Sequence, residues 1–255
     1  MNAQKMIVNL ANGSIMEFYV SEIKNIKVEE SETQETPSIP TDDGVYHNGH
    51  EYVDLGLSVK WATCNIGAEN CYDYGDYYAW GETETKSSFS TDTYKWYASS
   101  TVTTTDADGF DINMTYQGYT KYVTSLCAPI QGYKGFYADK VKLDTEDDAA
   151  HVNWGGNWRM PTYDELSELV SECTWIWGAL NGVNGYKVTG PNGKHIFLPA
   201  AAFPLYNNDE GFYWSSSLSE DEIGSAKGLY FFSGYPSMNN YLFRPEGRSV
   251  RPVIE

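Results

Sequence analysis

The sequence predicts an α+β chain made mostly of short antiparallel strands with one or two helices, preceded by a small β unit. Three observations predict it. Aromatic side chains make up 15% of the 255 residues, 21 of them tyrosine, a composition that favours strands over a helical bundle. Short apolar runs are punctuated throughout by Gly, Asn and Pro instead of alternating with long helical patterns. Only one segment, opening at Pro161, combines a helix-start signal with apolar residues at helical spacing.

Taken in order, residues 1–28 read as the small β unit. Met6, Val8 and Leu10 alternate, Asn12-Gly13 supplies a turn, and Ile15 to Val20 forms a second strand. Two strands alone are marginal in water, so this piece, with Ile23, Ile26 and Val28, is expected to pack on the main domain or on a partner chain. Residues 29–44 are acidic, proline-bearing and nearly free of large apolar side chains, which marks a solvated linker. The main domain then spans 45–255. Glu82 to Lys140 lacks periodicity and is rich in Tyr, Ser, Thr and Gly, so it is expected to be functional or to hold small elements of its own. Thr145 to Val152 reads as a short helix with acids at its start. Thr162 and Glu165 form a capping box ahead of Leu166, Leu169, Val170 and Cys173, which recur at helical spacing. Beyond residue 180 the reading is β: Tyr186 to Thr189, a Pro191-Asn192-Gly193 turn, His195 to Leu198, Phe212 to Ser217, Leu229 to Phe232 and Ser249 to Ile254.

Charge and motifs narrow the chemistry. Seventeen basic against 35 acidic residues give a formal net charge of −18, a field that repels phosphate backbones and anionic lipid, so nucleic acid is not an expected partner. No run approaches the roughly 18 apolar residues of a membrane helix, and no transmembrane segment is expected. There is no G-x-S-x-G elbow, and Ser215-Ser216-Ser217 has no nearby histidine, so no hydrolase and no catalytic residue is read from the chain. His47-Asn48-Gly49-His50 reads as a surface turn, and Gly190 to Lys194 as a hairpin turn that lacks Walker spacing. No cofactor is expected. The candidate ligands for Ca²⁺ are Asp106, Asp108 and Asp111, three carboxylates in one loop, although no glutamate follows at EF-hand spacing and solvated loop acids explain them as well. All four arginines, Arg159, Arg244, Arg248 and Arg251, lie after residue 158; buried carboxylates such as Asp147, Asp148 or Glu165 are their expected partners. Trp61, Trp80, Trp154 and Trp158 are expected in the core, each indole N–H needing an acceptor.

Six segments carry a family resemblance: E-Y-V-D-L-G-L-S-V-K-W-A-T-C-N-I-G-A (51–68), Y-G-D-Y-Y-A-W-G-E-T (74–83), D-D-A-A-H-V-N-W-G-G-N-W-R-M-P-T (147–162), N-G-K-H-I-F-L-P-A-A (192–201), Y-W-S-S-S (213–217) and R-S-V-R-P-V (248–253). Together, over about residues 46–255, they resemble the Fibrobacter succinogenes major paralogous domain of Bacteroidetes surface proteins. That family is similar to C-type lectin-like folds and to formylglycine-generating, sulfatase-modifying domains, whose R-x-P-T-x-x-E helix start corresponds to Arg159 to Glu165. The resemblance implies export by a signal absent from this chain, lipoprotein-type anchoring at the cell surface or incorporation into a surface assembly. The sugar-coordinating E-P-N, Q-P-D and W-N-D motifs are absent, so it does not imply sugar binding through calcium. It does not imply catalysis either, because the last cysteine is Cys173 and the terminal strands hold none.

The expected function is therefore non-enzymatic: an exported adhesion or ligand-binding protein whose partner is a glycan or a host or bacterial surface protein. One alternative is a structural subunit or cap of a surface or pilus-like assembly that offers its N-terminal β unit to a partner strand, and another is a sulfatase-modifying-like enzyme. Where the family pattern lapses, Tyr206, Asn207, Asn208 and Asp209 together with Tyr235, Asn239, Asn240 and Tyr241 form the candidate ligand-binding set, stiff amphipathic tyrosines among adaptable polar residues on loops. Four cysteines allow three pairings. Cys64 and Cys173 sit in or near the family-like segments as core positions, whereas Cys71 and Cys127 flank the irregular region and are the candidates for a bridge.

Overall fold

A computed structural model describes residues 5–9, 15–19, 45–125, 140–201 and 209–255. The chain divides into two compact units, Met1–Glu35 and Thr36–Glu255, a division that falls within the acidic stretch at 29–44. In the first unit β1 (Lys5–Asn9) pairs antiparallel with β2 (Ile15–Tyr19), Ile7 opposite Glu17, as the alternation and the Asn-Gly step predict.

The second unit is an α+β body of antiparallel sheets with two α-helices among its described residues. It opens with β3 (Val45–His47) and β4 (His50–Val53), joined by Asn48-Gly49 with both φ angles positive (48° and 82°), the two-residue turn whose twist suits a hairpin. β5 (Lys60–Ala62) follows. The aperiodic region then forms a long ribbon, β6 (Tyr97–Thr105) against β7 (Asp111–Tyr119), which the sequence pattern misses because its exposed positions impose no alternation. Next come α1 (Ala149–Trp154), α2 (Tyr163–Glu172), the meander β8 (Thr174–Leu180), β9 (Val183–Thr189) and β10 (His195–Pro199), then β11 (Glu210–Leu218), β12 (Ser225–Phe232), β13 (Tyr235–Phe243) and β14 (Val253–Ile254). Strand orders are β10-β9-β8, β11-β12-β13 and β14-β5-β4-β3.

Several expectations shift by a few residues for physical reasons. The helix expected at 145–152 is a 3-10 turn at Thr145–Asp147 and then α1, because Asp148 is the cap: its carboxylate accepts the amides of Ala150 and His151. The capping box of α2 stands as read, with Thr162 and Glu165 exchanging bonds, but Cys173 is the residue that ends the helix and β8 starts immediately after it. The stretch 233–241, expected as a loop, is a tight turn and an edge strand. Pro236 is tolerated there because an edge strand needs amide donors on one side only.

The three-stranded sheet β11-β12-β13 is central and buried on both faces, which is why Phe212-Tyr213-Trp214 are consecutive aromatics and all buried. On one face Phe212, Trp214, Ala226 and Leu242 pack with Trp80, Trp158 and Tyr122. On the other, Tyr213, Leu229 and Phe231 pack with Leu166 and Leu169 of α2, Trp61 and Val188. Phe231 lies so close over Gly211 that a Cβ there would come within 2.2 Å of its ring. The indoles of Trp80, Trp158 and Trp214 donate to the carbonyls of Ser215, His47 and Tyr78 at 2.7–2.8 Å. Trp61 Nε1 is buried without a hydrogen-bond partner in the described structure.

The arginines correct the expected pairing. Arg159 does fork onto Glu165, at 2.8 and 2.7 Å. Arg251, 1% exposed, instead donates to Asn65 Oδ1 (2.8 Å) and to the carbonyls of Ala62, Thr63 and Phe197 (3.1, 2.7 and 3.0 Å). Arg244, fully buried, donates to Tyr94 Oη and to the carbonyls of Lys121, Tyr122 and Ile223, and lies over the rings of Trp80, Tyr94 and Tyr119. Asp147 is taken by Lys121 and Tyr122, and Asp148 by the amides of α1 and Met160. Asp147 and Asp148 thus have other donors, and the Arg244 and Arg251 forks close on loop carbonyls instead.

Two predictions follow from this packing. Arg251→Met should lower the unfolding free energy by about 3 kcal/mol or more, because three buried carbonyls and an amide oxygen lose their donors. Arg251→Lys should rescue little of it, since an ammonium cannot span the fork; urea unfolding checks both, and a loss under about 1 kcal/mol would refute the assignment. Burial raises the Glu165 carboxyl, but the Arg159 fork and the Thr162 amide outweigh it and hold the group below its usual range. Its folded value is thus below its unfolded one, so the stabilisation is complete above the ordinary carboxylate range and is lost as pH falls through the folded value. The urea midpoints of wild type and Glu165→Gln should differ most near neutrality and converge below about pH 4.

Candidate functional site

One face of the β11-β12-β13 hairpins assembles an aromatic row across three strands. Register decides its membership: Glu210 pairs with Phe232, Phe212 with Tyr230, Phe232 with Tyr235 and Tyr230 with Ser237. Cross-strand partners share a face, so Glu210, Phe212, Tyr230, Phe232, Tyr235, Ser237 and Asn239 all point to the same side. Ring centroids are 4.8 Å apart for Phe212–Tyr230, 6.0 Å for Tyr230–Phe232 and 4.9 Å for Phe232–Tyr235.

The row is graded from anchor to solvent. Phe212 is 9% exposed with the Arg248 guanidinium 4.2 Å from its ring centroid, Tyr230 and Phe232 are half-buried, and Tyr235 is 56% exposed. Arg248 is in turn paired with Glu246. Polar groups line the same edge: Tyr230 Oη donates to Glu210 Oε1 at 3.0 Å, and Ser237 and Asn239 extend the strip along β13. Burial and the bond to Glu210 both push the Tyr230 phenol above its ordinary value, since each favours the uncharged ring. Rigid rings beside a carboxylate, a hydroxyl and an amide form a surface that stacks on a flat or ring-shaped ligand and accepts its hydroxyl protons.

The sequence-selected residues divide. Tyr235 and Asn239 belong to the row, with the Asn239 side chain accepting the Tyr241 amide at 2.8 Å where β13 carries an extra residue. Tyr241 is 61% exposed within that bulge, and Asn240 Oδ1 is buried without a hydrogen-bond partner in the described structure. Asp209 is engaged by Asn184 of β9 at 2.7 Å instead of by β13. Tyr206, Asn207 and Asn208 lie outside the described residues. Phe212, Tyr230 and Phe232 are not among the residues the sequence selects, although the two-residue Ser233-Gly234 turn between aromatic runs fixes the register that unites them with Glu210.

The calcium candidates sit at the tip of the β6–β7 ribbon. Asp106 Oδ1 accepts the amides of Asp108 and Phe110, and Asp111 accepts the Thr105 hydroxyl, so two of the three shape the turn. Among the described residues no group of three or more His, Cys, Asp or Glu is placed to hold a metal ion. The thiols of Cys64, Cys71 and Cys173 are free, which leaves no bridge at Cys71; Cys127 lies outside the described residues. Of the described helices, none is long and apolar enough to cross a membrane. A cleft of about 370 Å³ is lined in part by Asp148, His151, Arg159 and Glu255; of these Asp148 is committed to the α1 cap and Arg159 to the Glu165 pair.

What fold and site define together is an α+β protein with a row of aromatic rings on one face of a three-stranded sheet. The chain matches no family model, no curated protein and no solved structure.

The row carries its own check. In Glu210→Gln the Tyr230 phenol loses a charged acceptor and should titrate lower, back toward the usual value of about 10. Tyrosine-labelled NMR across alkaline pH reads this directly, and an unmoved titration would place Glu210 away from the ring.

Proposed function

We propose that this chain is an exported, non-enzymatic ligand-binding protein with a C-type lectin-like domain, and that the row Phe212–Tyr230–Phe232–Tyr235 is its contact face. The observation that carries the reading is the gradient of exposure: the inner ring is clamped by Arg248 while the outer ring stands in solvent, so the row has an immobile base and an available end. The net charge of −18 disfavours acidic ligands. A neutral glycan, whose ring stacks on Tyr235 and whose hydroxyls donate to Glu210 and Asn239, is the ligand class that these groups suit best. An aromatic segment of a surface protein would use the rings without the carboxylate. The family resemblance supports export and placement at the cell surface.

A second reading, in which the chain is a subunit of a surface assembly, draws on one observation. Among the described strands β1 and β2 pair only with each other, and a lone hairpin gains most from an added strand.

Arrays of neutral and acidic glycans beside surface proteins test the first reading. Tyr235→Ala and Phe232→Ala should each weaken a captured neutral glycan by roughly tenfold or more, and Glu210→Gln should weaken a glycan but spare an aromatic peptide. Equal binding by wild type and by folded variants would remove this face from the function.

A further inference from the structure

The segment between Cys64 and Cys71 turns at residues 65–68 and places both cysteines in one packed cluster at one groove. Ala68 N bonds Asn65 O at 3.1 Å, closing a turn in which Gly67 takes a φ of 77°. The strand leading into the turn is held from below, because Arg251 bonds the carbonyls of Ala62 and Thr63 and the side chain of Asn65. The returning segment is held too: Asp76 N bonds Ile66 O at 2.8 Å, and Asn70 N bonds the Asp73 carboxylate at 2.9 Å. Cys71, 7% exposed, packs on Phe197 and Leu180, and Cys64 packs against that cluster from the half-buried side. Both cysteines line one groove of about 240 Å³.

The two sulfurs also share an electrostatic neighbourhood. Burial raises the Cys71 thiol, the Arg251 guanidinium opposes that rise, and a charge on Cys64 would add to it. The two groups therefore lie within range of each other and of one buried cation. A third free thiol, Cys173, is pushed up to about 11 by burial and the nearby Glu168 and Glu172, and it stands apart at the end of α2.

We propose that Cys64 and Cys71 are a thiol pair built to close as an intrachain disulfide by exchange with an external disulfide reaching the groove. The half-buried Cys64 thiolate attacks the reagent's S–S bond, forms a mixed disulfide and releases one reagent thiolate. The Cys71 thiolate then attacks the Cys64 sulfur and releases the second. The protein loses two thiol protons and two electrons, and the external disulfide becomes two thiols. The oxidant is an external disulfide that accepts the two electrons and two protons, whether a small molecule or the active disulfide of a thiol oxidase. The product locks the turn over Arg251. This inference is independent of the aromatic face.

Oxidation of the full chain with glutathione disulfide, followed by alkylation and tryptic mapping, is the test. Lys60 and Lys86 bracket both cysteines, with no Lys or Arg between them, so they fall in one peptide. That peptide should appear unalkylated and lighter by the two thiol hydrogens, and formation should accelerate as pH rises because the thiols need to ionise. In Cys71→Ser the second step is blocked, and Cys64 should retain glutathione as a stable mixed disulfide. Two alkyl groups on the peptide after exhaustive oxidation, or Cys71 found joined to Cys127 or Cys173, would overturn the assignment. So would a Cys71→Ser variant whose Cys64 takes no adduct.

Discussion

A buried guanidinium held by neutral acceptors organises this protein. Arg251 has no carboxylate partner among the described residues; its fork closes on three carbonyls and one amide oxygen drawn from residues 62–65 and from Phe197. These segments are far apart in sequence, and none has a regular ladder to the others at that point. Five rigid donors in one plane suit such a junction, because one side chain satisfies several loop carbonyls that would otherwise be buried without partners. Arg244 repeats the arrangement with Lys121, Tyr122 and Ile223, adding the faces of Trp80, Tyr94 and Tyr119. In a chain so rich in acids, the interior charge is balanced by dipoles and aromatic faces more than by ion pairs.

The segment that carries these arginines also positions the aromatic row. Between Arg244 and Val253 the backbone bonds Trp80, Tyr78, Ile66, Ala62 and Arg159 on one side and Phe212 and Trp214 on the other. Ser249 is thereby fixed alongside β11, and Arg248 is set against the ring of Phe212. From that anchored ring the row runs outward through the half-buried Tyr230 and Phe232 to the exposed Tyr235. Stiffness at the inner end and exposure at the outer end come from the same packing, since the central sheet is covered on both faces near Trp214 and uncovered at the β12–β13 turn.

The sequence by itself determined what depends on local chemistry. The α2 capping box, the Asn48-Gly49 and Pro191-Asn192-Gly193 turns, the β1–β2 alternation and the α+β class all follow from residues within a few positions of one another, where one amide or one φ angle decides the outcome. Tertiary structure alone decided the rest. The β6–β7 ribbon is hidden because its described positions at 103, 105, 111–113 and 117 are exposed and impose no alternation, and 233–241 reads as a loop because edge-strand polarity resembles loop polarity. Arg251 closes on carbonyls, while Asp147 is held by Lys121 and Tyr122, Asp148 by the amides of Ala150, His151 and Met160, and Glu165 by Arg159, pairings that no local stretch announces. The aromatic row exists only once cross-strand register sets Phe212 beside Tyr230 and Phe232 beside Tyr235, and register depends on which faces are buried across the whole sheet, a property no local stretch contains.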